Sequence, residues 1–210
     1  QVMSDFFADD KLIGLNNLVD GDTEFIPLIS PEDEDRMNLE EVPEKLPILP
    51  LRNNVLFPGV VIPITLGRDK SIKLIQDAYK GNKIIGVVSQ KDSSIEEPTY
   101  KDLYDIGSVA QIVKMLKMPD GTSTIIIQGK KRLKLEEEIS NEPYLIAKIK
   151  EFDEKRLKNI SKESVALFDS LKDMALNIIK NSPNIPSEAS FAVKNIESPN
   201  FLVNFISSHM

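Results

Sequence analysis

Four prolines fall within the twenty residues LPILPLRNNVLFPGVVIPIT, at Pro47, Pro50, Pro58 and Pro63, in a run that otherwise reads as strand. Proline has no backbone donor and a fixed φ, so Pro47 and Pro50 fit a sheet only if the missing N–H groups face away from a ladder partner. That requirement predicts an edge or entry strand over 46–51, with Leu46, Ile48, Leu49 and Leu51 apolar enough to bury. Arg52-Asn53-Asn54 reads as a polar turn and Pro58-Gly59 as a second one. A β-branched strand then spans 60–65, broken by Pro63. The polypeptide doubles back through proline corners, and nothing in this stretch is a catalytic motif.

The following residues continue in the same style. Strands are predicted at 83–89, 108–118, 122–128, 131–138 and 144–152, and one helix over 68–79 places Ile72, Ile75, Ala78 and Tyr79 on one face. Pro119-Asp120-Gly121 is the strongest hairpin signal, because glycine takes the positive φ of a tight turn. Leu133 and Leu135 alternate with Arg132, Lys134 and Glu136, the mark of a strand with one wet face. The fold class is α+β: a strongly bent β-sheet or open barrel with one helix over 46–152, followed by a small helical domain over 153–210. In that second part Val165, Phe168, Leu171, Ala175, Ile178 and Ile179 share one face of a helix over 161–180, with Ser161 as its N-cap. Ser187 caps a second helix to Asn195, and Pro199 opens a third. Phe191, Val193, Phe201, Leu202 and Phe205 need something to pack against, and the pattern runs up to Met210, which reads as a fragment of a longer protein.

LPILPLRNNVLFPGVVIPI resembles the opening signature of the N-terminal substrate-recognition domain of Lon, the family of ATP-dependent serine proteases. Gly67-Arg68, Gln90-Lys91-Asp92, the segment DIGSVAQI from Asp105 to Ile112, Pro119-Asp120-Gly121 and the Gly129 to Arg132 corner follow in the same order. The resemblance is strong over 46–152 and weaker beyond. Asn53 stands where the family usually has an acid, which puts a possible Arg52–carboxylate pair in doubt and leaves the resemblance intact. The resemblance implies a PUA-like Lon N-domain fold, a hexameric ring, and ATPase and Ser-Lys protease modules downstream that are absent here. ATP and Mg belong to the absent ATPase module, and this part needs no cofactor.

Composition closes off other classes. With 41% hydrophobic residues the sequence is rich enough to build a core, and no run approaches the roughly 18 apolar residues of a membrane span. Cysteine is absent and His209 is the only histidine, so thiolate and histidine-cluster metal sites are excluded. Residues 1–45 carry 13 acids against three bases. They read as an acidic, mostly flexible tail with a solvated run at Pro31-Glu32-Asp33-Glu34-Asp35, and with Phe25-Ile26-Pro27-Leu28-Ile29 as the piece most suited to docking. No signal or transit segment opens the sequence, which points to the cytoplasm.

Catalytic readings fail on spacing. Gly129-Lys130-Lys131 imitates a phosphate loop, yet its upstream glycine, Gly121, is eight residues away and the final hydroxyl is replaced by Lys131. Ser161-Lys162 and Asp69-Lys70-Ser71 lie in polar surface contexts, and Glu136-Glu137-Glu138 on a strand cannot converge on one ion. Recognition remains. Met115, Leu116 and Met118 flank the hairpin tip, where flexible thioethers suit weak capture of varied apolar segments, though strand alternation turns one of Met115 and Leu116 inward. Phe57 at the Leu56-Phe57-Pro58 corner is either a rigidly presented contact or a core plug. Lys130, Lys131, Arg132 and Lys134, with Lys114 and Lys117 close by, have the charge to meet phosphates, but no aromatic platform accompanies them and a solvated strand face is preferred. The expected function is non-catalytic capture of exposed apolar segments of misfolded or degron-bearing proteins for degradation by downstream modules. The alternative is a standalone PUA-like adaptor or RNA-binding module. Nucleic acid is the less favoured partner, and no membrane is expected.

Overall fold

A computed structural model describes residues 30–117, 122–152, 161–182, 185 and 188–209. Its elements, in order, are α1 (Pro31–Leu39), β1 (Lys45–Leu51), β2 (Val61–Leu66), α2 (Asp69–Lys80), β3 (Ile84–Ser89), a single 3-10 turn (Tyr100–Asp102), β4 (Ile106–Lys117), β5 (Ser123–Ser140), β6 (Ile146–Glu151), α3 (Lys162–Asn181), α4 (Glu188–Asn195) and α5 (Pro199–Ser208). The six strands form one sheet ordered β2-β5-β4-β3-β1-β6, and β5 also pairs with β6. Five strands therefore close a ring while β2 rides outside it on the first half of β5. One parallel pair, β1 with β3, and the branch at β2 keep this from being a regular barrel.

β1 is the strand that departs from expectation. It lies between β3 and β6 rather than at an edge, and the two partners take different halves: Lys45–Pro47 pair with β6, Ile48–Leu51 with β3. Ile48 N–H donates to the Leu145 carbonyl, so by alternation the Pro50 nitrogen faces the β6 side past the end of that ladder. The Pro47 nitrogen faces the β3 side before that ladder begins. Both prolines are thus tolerated without an edge. Alternate β1 residues enter different cores: Leu49 and Leu51 join Leu74 and Ile75 of α2, with Ile85, Ile112, Ile125 and Ile127. Leu46 and Ile48 join Val109, Leu133, Leu145 and Ile149. A strand buried on both faces needs the near-continuous apolar run that the sequence shows.

Pro63 does not break β2. Gly129 N–H donates to the carbonyl of Val60 at 2.9 Å, which sets the ladder parity, so Ile62, Ile64 and Leu66 face β5 while Val61, Pro63 and Thr65 face the open edge. Proline belongs on that side of an edge strand. Likewise, the strands expected at 122–128 and 131–138 are one strand, β5. Val109 is opposite Lys131 and Ala110 opposite Gly129, so Lys130 is the extra residue of a bulge within a continuous strand.

The acidic run is solvated, with Glu32 and Asp35 exposed, and it is also helical. Residues 31–35 open helix α1: the Ser30 hydroxyl accepts from Asp33 N–H, Pro31 sits at the first position, and Glu32, Asp33 and Glu34 face the positive helix end. Met37 then inserts among Val60, Ala192, Val193, Phe201, Leu202 and Phe205. That third cluster joins α1, α3, α4 and α5 to the proline corner. Phe25 to Ile29 and the Pro119-Asp120-Gly121 turn lie outside the described residues. α3 packs Phe168, Leu171, Ala175 and Ile179 and leaves Leu167 and Met174 exposed, and Val165 and Ile178, expected on the packed face, are exposed too.

Candidate functional site

The proline corner is a clamp. Gly59, at φ 83°, donates to the Gly129 carbonyl at 2.8 Å, and a Cβ at Gly129 would meet the Phe57 carbonyl oxygen at 2.2 Å. Both glycines are therefore required, one for its left-handed backbone and one for close approach. The buried Ser108 hydroxyl donates to the Leu56 carbonyl at 2.6 Å, and Asn204 of α5 donates to the Pro58 carbonyl at 3.1 Å. Phe57 itself is half-buried against the helical cluster. Its ring lies at the joint between sheet and helices, not in the middle of the bent sheet.

The basic residues beside this clamp are spent internally. Lys130 reaches a Glu40 carboxylate oxygen at 3.3 Å, and Lys131 bonds the Glu40 carbonyl and the Glu151 carboxylate, the latter at 2.8 Å. Arg132 donates to the Asn204 side-chain oxygen at 2.7 Å. Both lysine side chains are only 10% exposed. The bulge at Lys130 interrupts the up-and-down alternation, which lets consecutive lysines reach the same end of α1. Lys114 and Lys117 are not neighbours of this group, since they pair with Ile126 and Ser123, four and seven residues before Lys130 along β5. The solvated strand face expected there is instead an internal stitch between sheet, α1 and α5.

The hairpin residues divide as alternation requires. Met115 lies in a row with Ile125 and Ile64 and packs, half-buried, on the α2-side core. Leu116 lies in the next row, with Thr124 and Thr65, whose exposed hydroxyls are 3.4 Å apart, and it is also half-buried. Met118 lies outside the described residues. Met115 and Leu116 thus come to the same end of the sheet, on opposite faces, while Phe57 is at the helical joint.

At that same end a cleft of about 670 Å³ opens between the second half of β1 and the free edge of β2. Leu49, Leu51, Ile64 and Leu66 contribute apolar walls, and Arg52, Arg68, Asp69, Glu96 and Glu97 surround the mouth. Gln90, buried, organises it: its amide donates to the carbonyls of Asp92 and Ile95 at 3.1 and 3.0 Å, while its oxygen accepts from Arg68. Arg52 donates to that same Ile95 carbonyl at 3.2 Å. Arg68 also approaches the Pro50 carbonyl at 3.5 Å. Among the described residues neither guanidinium has a carboxylate within 4.0 Å. Burial, and then the charge of Arg52, lower the Arg68 pKa, with the charges of Glu97 and Glu96 opposing. Asn53, at φ 54°, makes the turn beside Arg52 in a left-handed conformation that asparagine tolerates.

A model of the ATP-dependent protease La (LON) substrate-binding domain matches residues 45–210. The chain belongs to this Lon family. It is 57% identical over 207 residues to the Lon protease of Flavobacterium johnsoniae, covering 97% of this chain and 25% of that protein. With the Lon protease of Cytophaga hutchinsonii the identity is 50% over 187 residues, 89% of this chain and 23% of the other. The chain therefore spans about a quarter of the length of these Lon relatives, and what it holds is the substrate-binding domain, with no protease module. The N-terminal domain of a Mycobacterium avium complex Lon protease shares the fold, with TM-score 0.62 at 19% identity over 79% of this chain and 84% of that one. A Lon N-terminal domain protein from Xanthomonas campestris gives 0.51 at 16%, over 79% and 98%.

Sequence reasoning missed the cleft. Arg52 and Arg68 are sixteen positions apart, and only the β1–β2 reversal brings them together. The one available signal was Asn53, which removes an acid from beside Arg52. No group of three or more candidate metal ligands occurs among the described residues, and no helix among them is long and apolar enough to cross a membrane.

Proposed function

We propose that this chain is the substrate-recognition part of an ATP-dependent serine protease of the Lon type. It binds exposed apolar segments of misfolded or degron-bearing proteins and passes them to ATP-driven modules that unfold and cleave them. The observation that supports this reading is the match to a substrate-binding domain over residues 45–210, combined with half-buried Met115 and Leu116 at the open end of the sheet. Capture by each copy is weak. Six copies in a ring would raise the effective concentration without any new contact. The protein works in the cytoplasm, and ATP and Mg serve only the downstream ATPase.

The rival reading, a standalone adaptor or RNA-binding module, loses its best support once Lys130, Lys131 and Arg132 are engaged with Glu40, Glu151 and Asn204. The test compares binding of unfolded casein and of single-stranded RNA at low and high salt. Apolar capture predicts casein binding that varies little with salt, whereas phosphate contacts weaken steeply. Tight, salt-sensitive RNA binding without casein binding would replace this reading with the rival.

A further inference from the structure

The cleft between β1 and β2 holds two guanidinium groups side by side with no carboxylate at hydrogen-bonding distance among the described residues. The charge of Arg52 disfavours that of Arg68, and Glu97 and Glu96 oppose this without bonding either guanidinium. Gln90, 7% exposed, fixes Arg68 by one bond and shares the Ile95 carbonyl with Arg52. The scaffold positions both cations and uses few of their donors: a guanidinium has five, of which Arg52 commits one and Arg68 two. The remaining N–H groups suit the planar, paired oxygens of a carboxylate.

The neighbouring wall supplies a second element of recognition. Thr65 N–H and the Pro63 and Thr65 carbonyls face away from β5 on the free edge of β2, which borders the cleft. An extended segment laid along this edge would find a donor and acceptors at strand spacing, with Ile64 and Leu66 beside it. Pro63 removes one donor, so the edge accepts a short segment and resists extended pairing. Asp69, Glu96 and Glu97 keep the mouth from being a general attractor of polyanions, which separates this site from a nucleic-acid groove.

We propose that the β1–β2 cleft binds a carboxylate carried on a short extended peptide, with Arg52 and Arg68 on the carboxylate and the free edge of β2 on the peptide backbone. The carboxylate is either an acidic side group or the peptide's own C-terminus. This inference rests on the reading that the protein receives polypeptide segments, and it gives those segments a chemical signature.

The test is an amide and arginine side-chain NMR titration of the protein with three acetylated Val/Thr-rich hexapeptides. One has a central Glu and an amidated end, one has Gln in its place, and one has Gln with a free C-terminal carboxylate. At least one carboxylate peptide is expected to bind about ten-fold more tightly than the Gln amide, by loss or gain of a charge-assisted pair. Shifts should centre on Thr65, Gly67, Arg52 and Arg68, and the preference should vanish in Arg52→Gln, with Arg68→Lys as a second variant. Which of the two carboxylate peptides binds assigns the source. Equal or absent binding of all three, or shifts away from the cleft, overturns the proposal. Unfolded casein is titrated in parallel. If it perturbs Met115 and Leu116 while no peptide enters the cleft, only the cleft inference fails; if it perturbs neither surface, the substrate-recognition reading fails too.

Discussion

Two basic groups in this molecule differ in how visible they are in the sequence and do opposite things in the fold. Lys130, Lys131 and Arg132 are contiguous and conspicuous, yet each is matched by a partner on α5, on β6 or just past α1. Arg52 and Arg68 are separated and easily overlooked, yet they stand together at an open cleft, bonded only to neutral oxygens. A cluster along a strand is available to the protein's own acids, since neighbouring elements must cover it. The pair assembled by the reversal at the rim meets no carboxylate among the described residues, and we propose that its charge serves something outside. Sequence density of charge is therefore a poor guide to which charge is free.

The largest effect expected from disturbing the internal group is at the glycine beneath it. Gly129→Ala drives a Cβ into the Phe57 carbonyl at 2.2 Å and should cost about 2–3 kcal/mol in urea unfolding, with loss of the joint between sheet and helices. Unchanged stability would mean that the corner is not clamped. Next comes Lys131→Ala, which strips a nearly buried cation from Glu151 and from the Glu40 carbonyl. A loss of about 1–3 kcal/mol is expected, and Lys131→Met should recover part of it because the side-chain stem still packs. If both variants unfold like the parent, these lysines are as free as the arginines and the contrast collapses.

A smaller and local effect concerns the loop behind the cleft. Asp92 is held below the usual carboxylate range first by the Ser94 hydroxyl and then by Ser94 N–H, and Asp102 in the same way by Thr99. Because both folded pKa values are depressed, their contribution is present above the ordinary carboxylate pKa and is lost as pH falls through the lower folded values. Amide exchange over 92–103 should accelerate in that acid window before the sheet opens. Uniform exchange across the molecule would remove these turns as a distinct support for the Ile95 carbonyl. The smallest effect is expected at Arg52→Gln, within about 0.5 kcal/mol of the parent, because that arginine is exposed and makes a single bond to a carbonyl. A loss comparable to Lys131→Ala would show that Arg52 is structural.

Much of the fold was legible because the signals were local. The Ser161 and Pro199 helix starts and the alternation at Leu133 and Leu135 appear where expected, and α2 buries Ile75 and Ala78 as expected but turns in Leu74 and leaves Tyr79 exposed. What misled was context. Pro47 and Pro50 imply an edge only if a strand keeps the same partner along its length, and β1 changes partner at Ile48. Gly129 imitates a corner because the corner that needs it is elsewhere in the sequence, at Phe57. The run Pro31-Glu32-Asp33-Glu34-Asp35 reads as solvated by composition and is so, but its composition hid that a serine cap and a proline at the first position make it a helix start. Of the candidate residues, Met115 and Leu116 were visible as residue types and their facing followed from alternation. The arginine cleft was not, because it depends on a long-range reversal and on Gln90, a buried amide with no sequence signature of its role.

The central claim is that recognition lies at the open end of the sheet and not on the basic stripe of β5. Residue-resolved NMR mapping of unfolded casein on the 210-residue protein tests it most directly. The expected result is perturbation of Met115, Leu116, Thr65 and Gly67 at both low and high salt, with Lys130 and Lys131 unmoved. Perturbation centred on Lys130 and Lys131, fading as salt rises, would contradict it.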